Sequence, residues 1–158
     1  MVFERRNRIS STGERGEKLV SRILPKAKHV DGMGYDFLLP NQKRLEVKAH
    51  YGESGQITFK IKSKYPWKAG TGVWHNAAAH HLLIVTKTHL LLVDASEFRE
   101  FIKRQQHTVL DPAKVQTVSY QLEDISAQPW VVKYPRKNLK DREGSAKFLN
   151  DYFGTEVA

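Results

Sequence analysis

Two acids and a lysine stand where a β-hairpin would bring them together. Asp36 opens the apolar run Phe37-Leu38-Leu39, Glu46 and Lys48 flank Val47 in a second run, and Pro40-Asn41-Gln42 lies between the two. Residues two apart on a strand leave the same face, so Glu46 and Lys48 project together and Val47 points the other way. A three-residue loop pairs Leu39 with Lys43 and sets Asp36 opposite Glu46, with Cβ atoms about 4.5–5.5 Å apart. Two carboxylates at that separation repel, so either one keeps its proton or a cation lies between them. Lys48 neutralises only part of that charge. Oxygen ligands suit Mg2+ or Mn2+, which keep several waters and accept phosphate oxygens. Such an ion makes its water easier to deprotonate and polarises a phosphoryl oxygen. Lys48 would then orient the attacking water or stabilise charge growing on the phosphoryl oxygens. The plain alternative is a Glu46–Lys48 salt bridge on a solvated sheet face. The apolar neighbours Phe37, Leu38, Leu39 and Leu45 argue against it.

The elements that must position these groups follow from periodicity. Leu19, Val20, Ile23 and Leu24 form an apolar stripe at helical spacing, which predicts a helix over 12–24, capped by Ser11 or Thr12 and ended by Pro25. Glu14 falls in its first turn, near the positive end of the helix dipole. Strands are expected at 35–39 and 44–50. Gln56 to Lys64 alternates, with Ile57, Phe59 and Ile61 on one face and Thr58, Lys60, Lys62 and Lys64 on the other. Residues 65–74 read as loop, 76–80 as a helical turn, and 82–86 and 89–93 as buried strands. A helix follows, capped by Asp94 or Ser96 and facing inward through Phe98, Phe101 and Ile102. Strands are expected at 115–122 and 130–134, and a last amphipathic helix at 139–153. The order suggests a mixed α/β sheet with helices packed on its faces. The chain divides into a basic arm at 1–11, a core at 12–106 and a strand and helix elaboration of the same domain at 107–158.

Composition sets outer bounds. The 158 residues suit one domain, and 40% hydrophobic content is enough for a core. With 26 Lys and Arg against 17 Asp and Glu, the formal charge of +9 favours a polyanionic partner, nucleic acid before an acidic membrane surface. Cysteine is absent, which excludes disulfides, thiolate nucleophiles and Cys-type zinc sites. No run approaches the roughly 20 apolar residues of a spanning helix. MVFERRNRIS lacks the apolar stretch of a secretory signal. The expectation is an intracellular, cytoplasmic protein with no membrane partner.

Asp36 on one strand followed by Glu46-Val47-Lys48 on the next resembles the PD-(D/E)xK nuclease superfamily, with its restriction-endonuclease-like fold. The upstream segment Gly13-Glu-Arg-Gly-Glu-Lys-Leu-Val also looks like that family's first helix, whose acid points into the site. Glu17 matches it best, because it shares a helix face with Val20 and Leu24; Glu14 is the second choice. The resemblance covers residues 13–64, extends less specifically over 82–105, and leaves 106–158 unmatched. Tyr35 stands where the family motif has proline. The resemblance implies a mixed β-sheet core flanked by helices in the order α-β-β-β-α-β. It implies Mg2+ or Mn2+ held by Asp36 and Glu46 with the Val47 carbonyl, Lys48 serving the attacking water, and Glu17 orienting a water or a second ion. Among such nucleases it is closest in style to Holliday-junction resolvases and small restriction-like endonucleases, which implies a DNA-cutting homodimer. A nuclease-fold module that binds DNA within a larger complex without turnover is the competing reading, and an RNA-processing nuclease a third.

Other residues carry weaker signals. Lys60, Lys62 and Lys64 could touch the phosphate backbone or simply line a solvated edge strand. Tyr65, Trp67 and Trp74 could stack on bases or pack the loop, and Trp67 is taken with the lysines as nucleic-acid-binding. His50 shares the face of Glu46 and Lys48 and could meet phosphate, though a hydrogen-bonded structural histidine is the simpler reading. His75, His80 and His81 lack zinc-helix spacing. Lys133, Arg136, Lys137, Lys140 and Arg142 read as a solvated basic face that could extend a DNA surface.

Overall fold

The structure is a computed structural model that describes residues 14–30, 35–52, 54–62, 79–105, 116–138 and 140–154. Helix α1 (residues 14–23) precedes β1 (Lys28–His29), β2 (Phe37–Leu38), β3 (Arg44–His50) and β4 (Gln56–Lys62). Then come β5 (His81–Thr86), β6 (His89–Asp94), α2 (Ala95–Gln105), β7 (Gln116–Gln121), α3 (Leu122–Ser126), β8 (Val131–Pro135) and α4 (Arg142–Phe153).

The loop between β2 and β3 sets the register on which the rest is built. Gln42 N–H donates to the Leu39 carbonyl at 2.9 Å, and Leu39 N–H donates to the Lys43 carbonyl at 2.9 Å. Gln42 takes φ 69°, the left-handed position that follows the turn in a three-residue hairpin loop. Asn41 Oδ1 accepts from Lys43 N–H and holds the tip. Phe37 therefore pairs with Leu45 and Leu38 with Arg44, as the loop length predicts.

Six strands form one mixed sheet in the order β1-β2-β3-β5-β6-β8, in which β3 and β5 are parallel and every other neighbouring pair is antiparallel. Helices α1 and α4 cover one face, with Val20, Ile23, Leu24 and Leu149 packed on Phe37, Leu45, Leu83 and Val85. The other face is covered by α2 and by a separate antiparallel ribbon of β4 and β7, through Phe98, Ile102, Ile57, Phe59 and Val118. The protein is thus mixed α/β, with a six-stranded sheet flanked by helices.

The structure does not reproduce the expected α-β-β-β-α-β order in a single sheet. Its third strand, Gln56–Lys62, pairs with β7 instead, with a register shift between Lys60 and Lys62 that interrupts the regular alternation. Ile57 and Phe59 bury one face of that strand against the main sheet, which an alternating pattern permits as readily as edge pairing. Leu122 begins α3 rather than ending a strand, and β1 and α3 were not anticipated. The last helix starts at Arg142, with Asp141 as its N-cap accepting from Gly144 N–H at 3.2 Å. Gly144 sits inside this helix because a Cβ there would run into the Tyr134 hydroxyl, which donates to Asp141 Oδ2.

Gly16 has a similar role on α1. A Cβ at this position would lie 2.8 Å from Ala49 Cβ and 3.4 Å from Val47 Cγ1, so α1 rests directly on β3. Ala49, the nearer neighbour, cannot swing away, since it has no rotamer to change. Gly16→Val is expected to destabilise the protein by about 1–3 kcal/mol through overpacking. Denaturant unfolding checks this, and an undiminished midpoint would mean that α1 does not seat on β3.

Candidate active site

Strand β2 is two residues long and covers just the first part of β3. From Glu46 onward the outer edge of β3 is left to the chain just before β2. There Asp36 N–H donates to the Leu45 carbonyl at 3.0 Å, and Asp36 Oδ2 accepts from Val47 N–H at 2.8 Å. The carboxylate replaces the next strand partner. Because the N–H and C=O of one strand residue leave on the same edge, the Val47 carbonyl also opens toward Asp36. Glu46 and Lys48 lie beside Leu82 and Ile84 in the parallel register, on the face covered by α2 and the β4–β7 ribbon. The Lys48 ammonium stands 5.9 Å from the centre of the Phe59 ring.

The charges interact as their spacing predicts. Burial raises the Asp36 pKa to about 6. The Val47 N–H opposes that rise, the Glu17 charge adds to it, His29 opposes it, and a carboxyl–carboxyl hydrogen bond with Glu17 adds to it again. Burial also raises the Glu46 pKa, to about 8, with the Asp36 charge adding and the Lys48 charge opposing. Glu46 and Lys48 form no direct ion pair among the described residues. Glu46 Oε2 is buried without a hydrogen-bond partner. A buried carboxylate oxygen in that position is costly unless a proton or a cation reaches it.

This donor set fits a hard divalent cation: two carboxylates, a backbone carbonyl on the same edge, and an unsatisfied carboxylate oxygen. No group of three or more His, Cys, Asp or Glu side chains arranged to hold a metal is present among the described residues. The fit therefore rests on the Asp36–Glu46 pair with Val47, which leaves positions for water as Mg2+ prefers.

The structure brings together Glu17, Asp36, Glu46 and Lys48, with Val47 between the last two. Glu17 reaches Asp36 from α1 and also lies 3.6 Å from His29 Nε2. His29 was missed in the sequence; it is carried by β1, pairs with Phe37 and packs 5.1 Å from its ring. A lone histidine on a two-residue strand gives no periodic signal. His50 is tied to the loop after β3, its Nε2–H donating to the Ser54 carbonyl at 2.5 Å. Lys60 and Lys62 lie on the β4 backbone, but their side chains fall outside the described residues, as do Lys64, Tyr65, Trp67, Trp74 and the basic arm at 1–11. Arg136 is not part of a solvated face: it is 6% exposed and donates from Nη1 to the Thr86 carbonyl at 2.7 Å. No protein-family model matches the chain, and no curated protein matches it either.

The raised Glu46 pKa has a consequence for stability. Below about pH 4.5 both the folded and the unfolded chain hold this proton; above it the unfolded chain releases the proton while the folded chain keeps it up to about pH 8. The unfolded state binds fewer protons across that interval, so stability falls as pH rises through it. Glu46→Gln has no proton to release and should escape this part of the fall. Thermal unfolding without divalent ions from pH 5 to 8 should show wild type losing Tm relative to the variant; parallel profiles would count against a buried, proton-holding Glu46.

Proposed function

We propose that the chain is a metal-dependent nuclease of the restriction-endonuclease-like kind, hydrolysing phosphodiester bonds in DNA. The observation that carries this reading is the Asp36–Glu46 pair. Two interacting carboxyls have pKa values of about 6 and about 8, and one buried oxygen lacks a partner. One lysine beside them supplies less charge than the pair needs. Asp36 and Glu46, with the Val47 carbonyl, would hold Mg2+ or Mn2+. When bound, the ion offsets the paired negative charge and polarises a phosphoryl oxygen.

The protein's own groups do the rest. Lys48 orients the attacking water and stabilises charge developing on the phosphoryl oxygens. Val47 N–H fixes the Asp36 carboxylate against the strand edge. Glu17, beside Asp36, adds negative charge next to that carboxylate. The formal charge of +9 suits a polyanionic substrate.

One observation favours the second reading, a DNA-binding module without turnover: three metal-holding side chains do not converge among the described residues. Cleavage of duplex, branched and single-stranded DNA in Mg2+ or Mn2+ separates the two. The nuclease reading expects metal-dependent cutting that Lys48→Ala or Asp36→Asn lowers about 100-fold or more. Cutting at the wild-type rate by Lys48→Ala would remove this site from the reaction. DNA binding that is equal with and without EDTA, with no cutting of any substrate, would favour the binding module.

A further inference from the structure

Helix α1 carries two kinds of charge on two flanks. Glu17 lies toward Asp36 and His29, while Arg15, Lys18 and Arg22 follow one another at helical spacing on the opposite side. These three cations line a cavity of about 450 Å3, completed by Lys87 of the β5–β6 turn, Arg136 after β8 and Arg142 at the start of α4. Six cationic side chains from four separate parts of the chain face one space, and no carboxylate lines it among the described residues. The guanidinium of Arg136 is 6% exposed and is fixed to the Thr86 carbonyl at 2.7 Å, so one of the six is a built, immobile group rather than a surface chain. Arg15 is also held, with its guanidinium 5.7 Å from the centre of the Tyr51 ring, and Tyr51 lines the same cavity.

Like charges gathered in a concave space raise the local potential and select an anion. Guanidinium groups fixed in place suit phosphate oxygens, which they bind in a bidentate fork. Tyr51 follows β3, five residues beyond Glu46, which is about 17 Å of strand. That distance corresponds to about five steps of duplex rise. The cavity is thus separate from the acid pair and lies on the side of the sheet that α1 and α4 cover.

We propose that this cavity is a second phosphate-binding site, taking backbone phosphate groups of a DNA whose scissile bond lies at the acid pair. The inference rests on the nuclease reading for the position of that bond. The cavity anchors the DNA and takes no part in bond breaking, so its loss weakens binding whether or not a metal is present.

Fluorescence anisotropy of the full chain with labelled duplex DNA in EDTA tests the site without any cutting. The double variant Arg15→Gln/Arg22→Gln should bind at least about 10-fold more weakly at low salt, with the slope of log affinity against log salt reduced by about 2. Lys147→Gln, exposed on α4, paired with Asp151 and outside the cavity lining, should keep the wild-type slope to within about 1. An unchanged affinity and slope in the double variant overturn the proposal, even if the wild type cuts DNA and the nuclease reading stands. The converse result, weaker binding in the double variant with no cutting by any form of the protein, keeps the phosphate site and removes the nuclease reading. Inorganic tripolyphosphate binding that depends on Arg15 and Arg22 while DNA affinity does not would also overturn the proposal, in favour of a free polyphosphate ligand. If Arg15→Gln/Arg22→Gln unfolds, Lys18→Gln/Lys87→Gln, on the exposed rim, replaces it with the same expectation.

Discussion

The hydrogen bond from Val47 N–H to Asp36 Oδ2, 2.8 Å long, replaces a missing strand neighbour and joins the structure to its chemistry. A strand edge needs an acceptor for its outward N–H groups. Here the acceptor is a carboxylate instead of a carbonyl, so a charge is brought against the backbone beside Glu46. The bond lowers the Asp36 pKa, but burial raises it further, and the net result is a carboxyl at about 6 next to another at about 8. The short β2 makes this possible. One more ladder pair would have given Val47 a backbone partner and turned Asp36 elsewhere.

The core holds this geometry from both sides. On one face α1 rests on β3 through Gly16, which places Glu17 beside Asp36. On the other, Phe59 of the β4–β7 ribbon lies by the Lys48 ammonium, and the same ring packs 4.9 Å from Phe98 of α2. The charged groups therefore meet at the margin of two apolar clusters, where desolvation is strong. α1 also divides the electrostatics of the protein. Its acidic flank serves the carboxyl pair, and its basic flank looks into a cavity lined by arginine and lysine.

Much of the site was legible in the sequence because local geometry decides it. A three-residue loop fixes the register of Phe37 with Leu45 and so brings Asp36 beside Val47, period-two alternation puts Glu46 with Lys48, and helical spacing puts Glu17 on the face of Val20 and Leu24. What was not legible depends on long-range pairing. The alternation of Gln56–Lys62 announces a strand with one apolar face, but its partner, Gln116–Gln121, lies more than fifty residues away and leaves no local trace. Arg136 looked like one of a run of surface cations, since nothing in its neighbourhood in the chain reveals that Thr86 will bury it. His29 gave no signal either, because its meaning comes only from β1 lying across from Phe37.

Folding holds two carboxyls so close and so dry that Glu46, the more buried of the pair, keeps a proton until a cation takes its place. Carbon-detected NMR titration of the side-chain carboxyls, with and without Mg2+, measures this directly. Glu46 should titrate near pH 8 in the absence of the ion and at a much lower pH in its presence, with Asp36 shifting in the same direction. A Glu46 carboxyl that titrates near its ordinary value of 4.5 and ignores Mg2+ would contradict it.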